Sequence, residues 1–276
     1  MRDLYPSKLM LFGEYAVIAG GEGLAVPWDD FYAQWIEESE TESAFKPHLL
    51  RFCEWLRSEK FVPMLDVDQF MDDLHHGLDI ESNIPIGYGV GSSGAGVAAV
   101  YDRYARDKSG DHDLPALKQR LASMENFFHA KSSGLDPLVC YLQEAIHITP
   151  EAIHVVQLPQ NVEELPMRLL DCGYARATHA LVNTFSKLME RADFKVAMQD
   201  YIQYSNACIR DVLQNDMSQF MQHVRAVSDW QWHYFDFAIP EQLRKEWHDA
   251  LRTENAAYKL CGAGGGGFML IFHTTS

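Results

Sequence analysis

Pro85-Ile-Gly-Tyr-Gly-Val-Gly-Ser-Ser-Gly94 runs without a break into Ala95-Gly-Val-Ala-Ala-Val100, a stretch composed like the start of a helix. A glycine-rich loop that opens a helix turns backbone N–H groups and the positive end of the helix dipole toward one point, and that point suits a polyphosphate. A Walker A loop would need a lysine after its last glycine, and none stands here. The G-x-G-x-x-G loops fit poorly too, because Gly87, Gly89 and Gly91 alternate and then meet Ser92 and Ser93.

Two other segments share this chemistry: Lys8-Leu-Met-Leu-Phe-Gly-Glu14 near the start and Gly262-Ala-Gly-Gly-Gly-Gly267 near the end. Pro85 to Gly94 resembles the second signature of the GHMP small-molecule kinases, P-x-x-x-G-[LV]-G-S-S-[AG]. Lys8 to Val17 resembles the first signature in the form mevalonate kinases carry, and Lys259 to Phe268 resembles the third. The order is the same, and the three span nearly the whole chain. The resemblance implies an α+β protein with the GHMP kinase fold. Residues 1–163 would form an ATP-binding, catalytic domain like the second domain of ribosomal protein S5, and residues 164–276 a ferredoxin-like domain.

Composition is that of an ordinary globular protein. With 276 residues, 47% of them hydrophobic, the chain has enough apolar material for one substantial core or two modest ones. A formal net charge of -16 argues against a non-specific nucleic-acid binder and against a partner of anionic membranes, though not against a nucleotide. An acidic protein that binds ATP must gather its cations locally, and Lys8, Lys131, Arg176 and Lys259 lie in or beside the motifs. The five cysteines are widely spaced and form no C-x-x-C pair, which disfavours a disulfide framework or zinc site. No apolar run nears the roughly 18 residues of a membrane span, and the opening residues lack a secretory stretch, so the expected location is the cytoplasm.

Periodicity and turn residues predict a β-rich opening, with strands at Leu9 to Phe12, Val17 to Ala19 and Leu24 to Pro27. Helices are expected at Pro47 to Ser58, Asp66 to Leu78, Ser92 to Arg106 and Leu114 to Ala130. On the last of these Leu117, Leu121, Met124 and Phe128 recur at helical spacing and put Glu125 and His129 one turn apart. Ser132 to Pro137 reads as a tight turn. Alternating stretches follow at Ile146 to Leu158 and Leu169 to Cys172. Four helices then cover His179 to Glu190, Lys195 to Asn215, Ser218 to Tyr234 and Pro240 to Asn255, and a strand, Phe268 to Phe272, closes the chain.

The resemblance also assigns roles. Phosphoryl transfer from ATP needs a cradle, a magnesium ion, an acceptor for the proton of the attacking hydroxyl, and positive charge near the moving group. Gly87, Gly89, Gly91, Ser92, Ser93 and Gly94 would be the cradle, with the last glycine run, Gly264 included, bracing it. Ser93 and Glu125 would hold Mg2+. Asp136 in Ser132-Ser133-Gly134-Leu135-Asp136, which resembles the P-S-G-x-D element, would be the general base, with Lys8 supplying charge. Glu125 and His129 stand eleven and seven residues before Asp136, as in mevalonate kinases. Glu14, Tyr15, His129, Arg176 and Thr178 would face the substrate, Arg176 by forking a carboxylate or phosphate.

Mevalonate, an anionic alcohol, is therefore the leading substrate. Phosphomevalonate is second, a sugar third, and a non-catalytic nucleotide-binding regulator is the alternative from another class. A homodimer is an arrangement the family allows. Three features depart from the pattern: Tyr15 stands where histidine is usual, in a Gly-Glu-Tyr-Ala-Val phrase shared with phosphomevalonate kinases; Ser132 replaces a proline; and the stretch between the first two signatures is short, so no adenine contact carries over. Trp28, Phe31 and Tyr32 offer a stacking surface, but such aromatic residues more often belong to a core. The aromatic cluster from Trp230 to Phe237 reads as core or a dimer face, the acidic run from Glu37 to Glu42 as a solvated loop, and His75-His76 as surface, since neighbours on a helix point apart.

Overall fold

The computed structural model describes residues 3–37, 46–58, 60–129, 131–159, 162–175 and 178–273. Two compact units interleave along the chain: Met1–Lys8, Pro27–Pro85 and Gly91–Glu144 form the first, and Leu9–Val26, Ile86–Val90 and Ala145–Ser276 the second. Strands β1 (Leu4–Phe12) and β2 (Gly23–Ile36) each contribute residues to both. The mixture of helices and sheets is the α+β class expected.

In the first unit the later half of β2 pairs antiparallel with β3 (Asp79–Ser82), from Ala33 opposite Ser82 to Ile36 opposite Asp79. Five helices complete it: α1 (Lys46–Leu56), α2 (Val67–His75), α3 (Ser92–Tyr104), α4 (Leu114–Glu125) and α5 (Leu135–Leu142). Aspartates start two of them, Asp66 accepting from the Gln69 N–H and Asp113 from the Ala116 N–H, so that orphan donors of the first turn find partners. Every residue of α3 from Gly94 to Tyr101 is buried. Its small residues let α5 and α4 lie close to it. Trp35 of β2 meets Phe70 and Tyr104 edge-on at 6.3 and 6.1 Å, with the Arg103 guanidinium 5.4 Å above its ring.

In the second unit the start of β2 pairs with β4 (Ala145–Ile148), and β4 with β5 (Ile153–Val156), both antiparallel. A separate sheet has the order β6 (Met167–Asp171), β8 (Phe268–His273), β7 (Ala256–Leu260), with β8 central. Helices α6 (Thr178–Leu188), α7 (Ala192–Gln214), α8 (Phe220–Tyr234) and α9 (Arg244–Thr253) accompany it. Phe235, fully buried, touches Tyr15, Tyr201, Trp230 and Phe237, so Phe235 and Trp230 of the aromatic cluster are core, whereas Tyr234 is exposed.

Some elements differ from the expectation. Val17–Ala19 is a 3-10 turn rather than a strand, because the N–H groups of Val17, Ala19 and Gly21 bond locally to Gly13 and Ala16 carbonyls instead of a ladder. Helix α4 stops at Glu125, short of Ala130. The segment read as a tight turn at Pro137 starts α5 instead, since proline in a first helical turn forfeits no intrahelical bond. Strands β3 and β7 were not anticipated. His75 and His76 are exposed, as expected. Most of the acidic run, Glu38 to Glu42, lies outside the described residues.

Candidate active site

Lys8 sits on β1, 5% exposed, with its Nζ 2.7 Å from Asp136 Oδ1. Asp136 occupies the first turn of α5, where the positive end of the helix favours a carboxylate. Two glycines determine where that turn lies. A Cβ on Gly94 would stand 2.8 Å from the Asp136 carbonyl carbon and 2.9 Å from its Cβ, so only glycine lets α3 approach the aspartate this closely. Gly134, the residue before α5, has φ +75°, and a Cβ there would reach 2.2 Å from the Lys118 carbonyl oxygen of α4. Asp136 is thus seated by backbone contacts on two sides, yet its side chain is still 32% exposed.

Beside this pair Ser93 Oγ donates to Glu125 Oε1 at 2.9 Å and lies 2.9 Å from His129 Nε2. Because the serine proton goes to the carboxylate, the imidazole is the donor in the second bond. His129 follows the end of α4, and its N–H still bonds to the Glu125 carbonyl, so the one-turn spacing read from the sequence survives the loss of regular helix. Glu125 is 4% exposed, and Ser132 Oγ donates to its Oε2. Burial first, and the Asp136 charge second, push the Glu125 carboxyl up to about 7. Lys8, Ser93, Glu125, His129 and Asp136 are therefore brought together within the first unit.

The donor set suits magnesium. One carboxylate and one hydroxyl, both oxygen, leave positions for water and phosphate, and a divalent cation would offset the charge that burial and Asp136 disfavour on Glu125. No group of three or more His, Cys, Asp or Glu side chains suited to a metal occurs among the described residues. All five cysteines are buried as thiols.

Gly87, Gly89 and Gly91 have φ of +81°, +79° and +84°, so their alternation in sequence is an alternation of left-handed backbone. Gly91 precedes α3, whose start receives no side-chain cap, the kind of helix start whose first-turn N–H groups can serve an anion. Of the last glycine run, Gly267 lies against the Tyr88 backbone and Gly264 against Ala238. A Cβ on Gly267 would lie 2.6 Å from the Tyr88 carbonyl oxygen, whereas one on Gly264 would meet the Ala238 oxygen at 2.7 Å.

Glu14 and Tyr15, expected at the substrate, belong to the interior of the second unit. Glu14 is ion-paired with Lys259, both fully buried, and its carbonyl accepts from Tyr201. Tyr15, at φ +61°, packs on Phe185 and Phe235 and donates to the Ala263 carbonyl at 2.8 Å. The Arg176 expectation, and that for the Thr178 side chain, lie outside the described residues. Trp28, Phe31 and Tyr32 are each partly buried. The hydroxyl of Ser132 on Glu125 was missed. Its signal was present in the sequence as a hydrogen-bonding residue where the related element has proline.

Residues 59–144 match the family model described as the GHMP kinases N terminal domain. Two curated relatives are mevalonate kinases. That of Archaeoglobus fulgidus is 25% identical over 67% of this chain and 63% of its own length, so the match spans less than two thirds of that relative. That of Methanothermobacter thermautotrophicus is 24% identical over 96% of this chain and 88% of its own. Among solved structures, L. major mevalonate kinase in complex with R-mevalonate superposes with a TM-score of 0.70 at 17% identity, covering 100% of this chain and 88% of that one. Streptococcus pneumoniae phosphomevalonate kinase in complex with phosphomevalonate and AMPPNP gives 0.62 at 14%, covering 99% and 92%. These likenesses to solved structures establish the fold. Residues 59–144 are thus similar to the GHMP kinases N terminal domain, the chain has the GHMP kinase fold, and the curated relatives it resembles are mevalonate kinases.

Proposed function

We propose that this chain is an ATP-dependent kinase of a small alcohol, with mevalonate the leading substrate and 5-phosphomevalonate and ADP the products. The observation that carries the reading is the 2.7 Å contact between the Lys8 ammonium and an Asp136 carboxylate that remains a third exposed, beside the Ser93 and Glu125 oxygens. A binding relic has no physical need for a reachable proton acceptor next to a buried cation.

The substrate hydroxyl loses its proton to Asp136 as its oxygen attacks the γ-phosphorus, and ADP leaves with the electrons of the broken P–O bond. A carboxylate is a weak base toward an alcohol, so most of the acceleration comes from positioning and charge. Lys8 supplies fixed positive charge at that point. The uncapped N–H groups at the start of α3 bind phosphate oxygens. Ser93 and Glu125 would hold magnesium, which when bound neutralises phosphate charge.

Phosphomevalonate is the second reading, favoured by Tyr15 in its Gly-Glu-Tyr-Ala-Val setting. No helix among the described residues is long and apolar enough to cross a membrane, which accords with a cytoplasmic enzyme of isoprenoid precursor synthesis. Division of the chain at residue 163, a substrate contact through Arg176 and Thr178, and a homodimer belong to the same reading. A coupled ADP-release assay across mevalonate, phosphomevalonate, homoserine and galactose tests it. Turnover is expected with mevalonate above the others; tight MgATP binding with no turnover on any alcohol would favour the non-catalytic class.

A further inference from the structure

Ser132 is held on three sides. Its N–H donates to Asn126 Oδ1 at 2.8 Å, its Oγ accepts from the Gly134 N–H at 2.8 Å, and the same Oγ donates to Glu125 Oε2. A serine hydroxyl has one proton, and with Gly134 on the oxygen's acceptor side that proton is directed at the carboxylate. Oε1 of the same carboxylate takes the Ser93 hydroxyl, so both oxygens of Glu125 are gripped by hydroxyls from different elements, the first turn of α3 and the loop before α5.

A bond to Gly134 alone would serve the turn that leads into α5. Donation to Oε2 does nothing for that turn. It fixes the rotation of the Glu125 carboxyl group, which matters because magnesium demands near-ideal octahedral geometry and because the groups that orient a ligand control affinity almost as strongly as the ligand itself. We propose that Ser132 is a positioning residue for the metal site, setting the Glu125 carboxylate through its hydroxyl. The inference rests on Glu125 being a magnesium ligand, as read above.

Mn2+ is the probe. Its binding to the full-length protein saturated with ADP is followed by the loss of the free-ion paramagnetic resonance signal. Ser132→Ala is expected to weaken Mn2+ binding about tenfold. Ser132→Cys, which keeps the size and replaces a strong donor with a weak one, does the same, and Ser132→Thr, which keeps a hydroxyl, stays within about twofold. ADP affinity measured without metal does not change in any of them. An equal loss of metal-free ADP affinity would mark a distorted turn and overturn the positioning role. Wild-type Mn2+ affinity in both Ser132→Ala and Ser132→Cys, against a weakened Glu125→Gln, overturns the role of Ser132 alone. Unchanged affinity in Glu125→Gln removes the metal assignment and Ser132's role with it.

Discussion

Two lysine–carboxylate pairs involve the first signature, and solvent treats them in opposite ways. In the first unit Lys8 meets Asp136 at 2.7 Å with the aspartate side chain 32% exposed. In the second Lys259 meets Glu14 with 0% and 1% exposed, over the ring of Phe12 and against the Leu260 carbonyl at 2.7 Å. The charges are the same, but of the two carboxylates only that of Asp136 is open to solvent. A sealed pair cannot trade protons with a ligand; its removal leaves a buried charge without compensation, which makes it a structural tie. Six residues of chain thus separate a lysine assigned to chemistry from a glutamate assigned to architecture.

The sharpest way to break this contrast is Asp136→Asn. Loss of the proton acceptor is expected to lower kcat by about a thousandfold to ten-thousandfold while ATP affinity and the thermal midpoint stay near wild type. An active Asp136→Asn enzyme, assayed by ADP release, would erase the distinction from one side. Lys259→Met probes the other. It should reduce unfolding free energy by about 3–5 kcal/mol in urea titrations, and the double substitution Glu14→Leu/Lys259→Met should recover most of the loss. If the single variant were as stable as wild type, the pair would not be the tie described.

Glu125 lies between these extremes, buried yet beside Asp136. Its carboxyl, raised to about 7 from an ordinary 4.5, holds a proton in the native state that the unfolded chain has already released. Between those values the native state binds the extra proton, so metal-free stability attributable to this group falls as pH rises from about 4.5 to 7 and is flat above. The span corresponds to roughly 3 kcal/mol at most. Subtracting the unfolding profile of Glu125→Gln from that of wild type without divalent ions isolates it, and a difference that rises with pH would contradict the sign. The smallest effect is expected for Tyr15→Phe. Loss of the bond to Ala263 should cost about 1 kcal/mol of stability and leave KM for the alcohol unchanged. A large change in KM would return Tyr15 to the substrate's side.

Much of this was legible because close-approach glycines and chemistry-bearing residues sit at short, recurrent spacings. The alternating glycine loop, the start of α3 and the spacing of Glu125, His129 and Asp136 all follow from local pattern. The two-sided seating of Asp136 did not, since nothing in Gly94 or Gly134 announces which backbone it must admit. The inward placement of Tyr15 and Glu14 was not legible for a related reason. A motif gives a residue's neighbours along the chain but not the face it presents, and here the turn after β1 carries both side chains into an aromatic interior. Strand β7 was hidden because Ala256-Ala257 lacks the branched residues that mark strands, and its burial comes from pairing with β8. A cut near residue 163 follows chain order, whereas compactness interleaves segments because β1 and β2 are long enough to serve both units.

One more thing follows from the buried, small-residue stretch of α3 from Gly94 to Val100. A helix packed backbone to backbone against its neighbour has almost no compliance, so a pull on its leading end is transmitted as a rigid displacement and not absorbed by side-chain rearrangement. The start of α3 and the Asp136 carboxylate, the proposed anion grip and proton acceptor, are in that sense two ends of one stiff beam joined at Gly94. Even one added methyl at that joint would put them out of step.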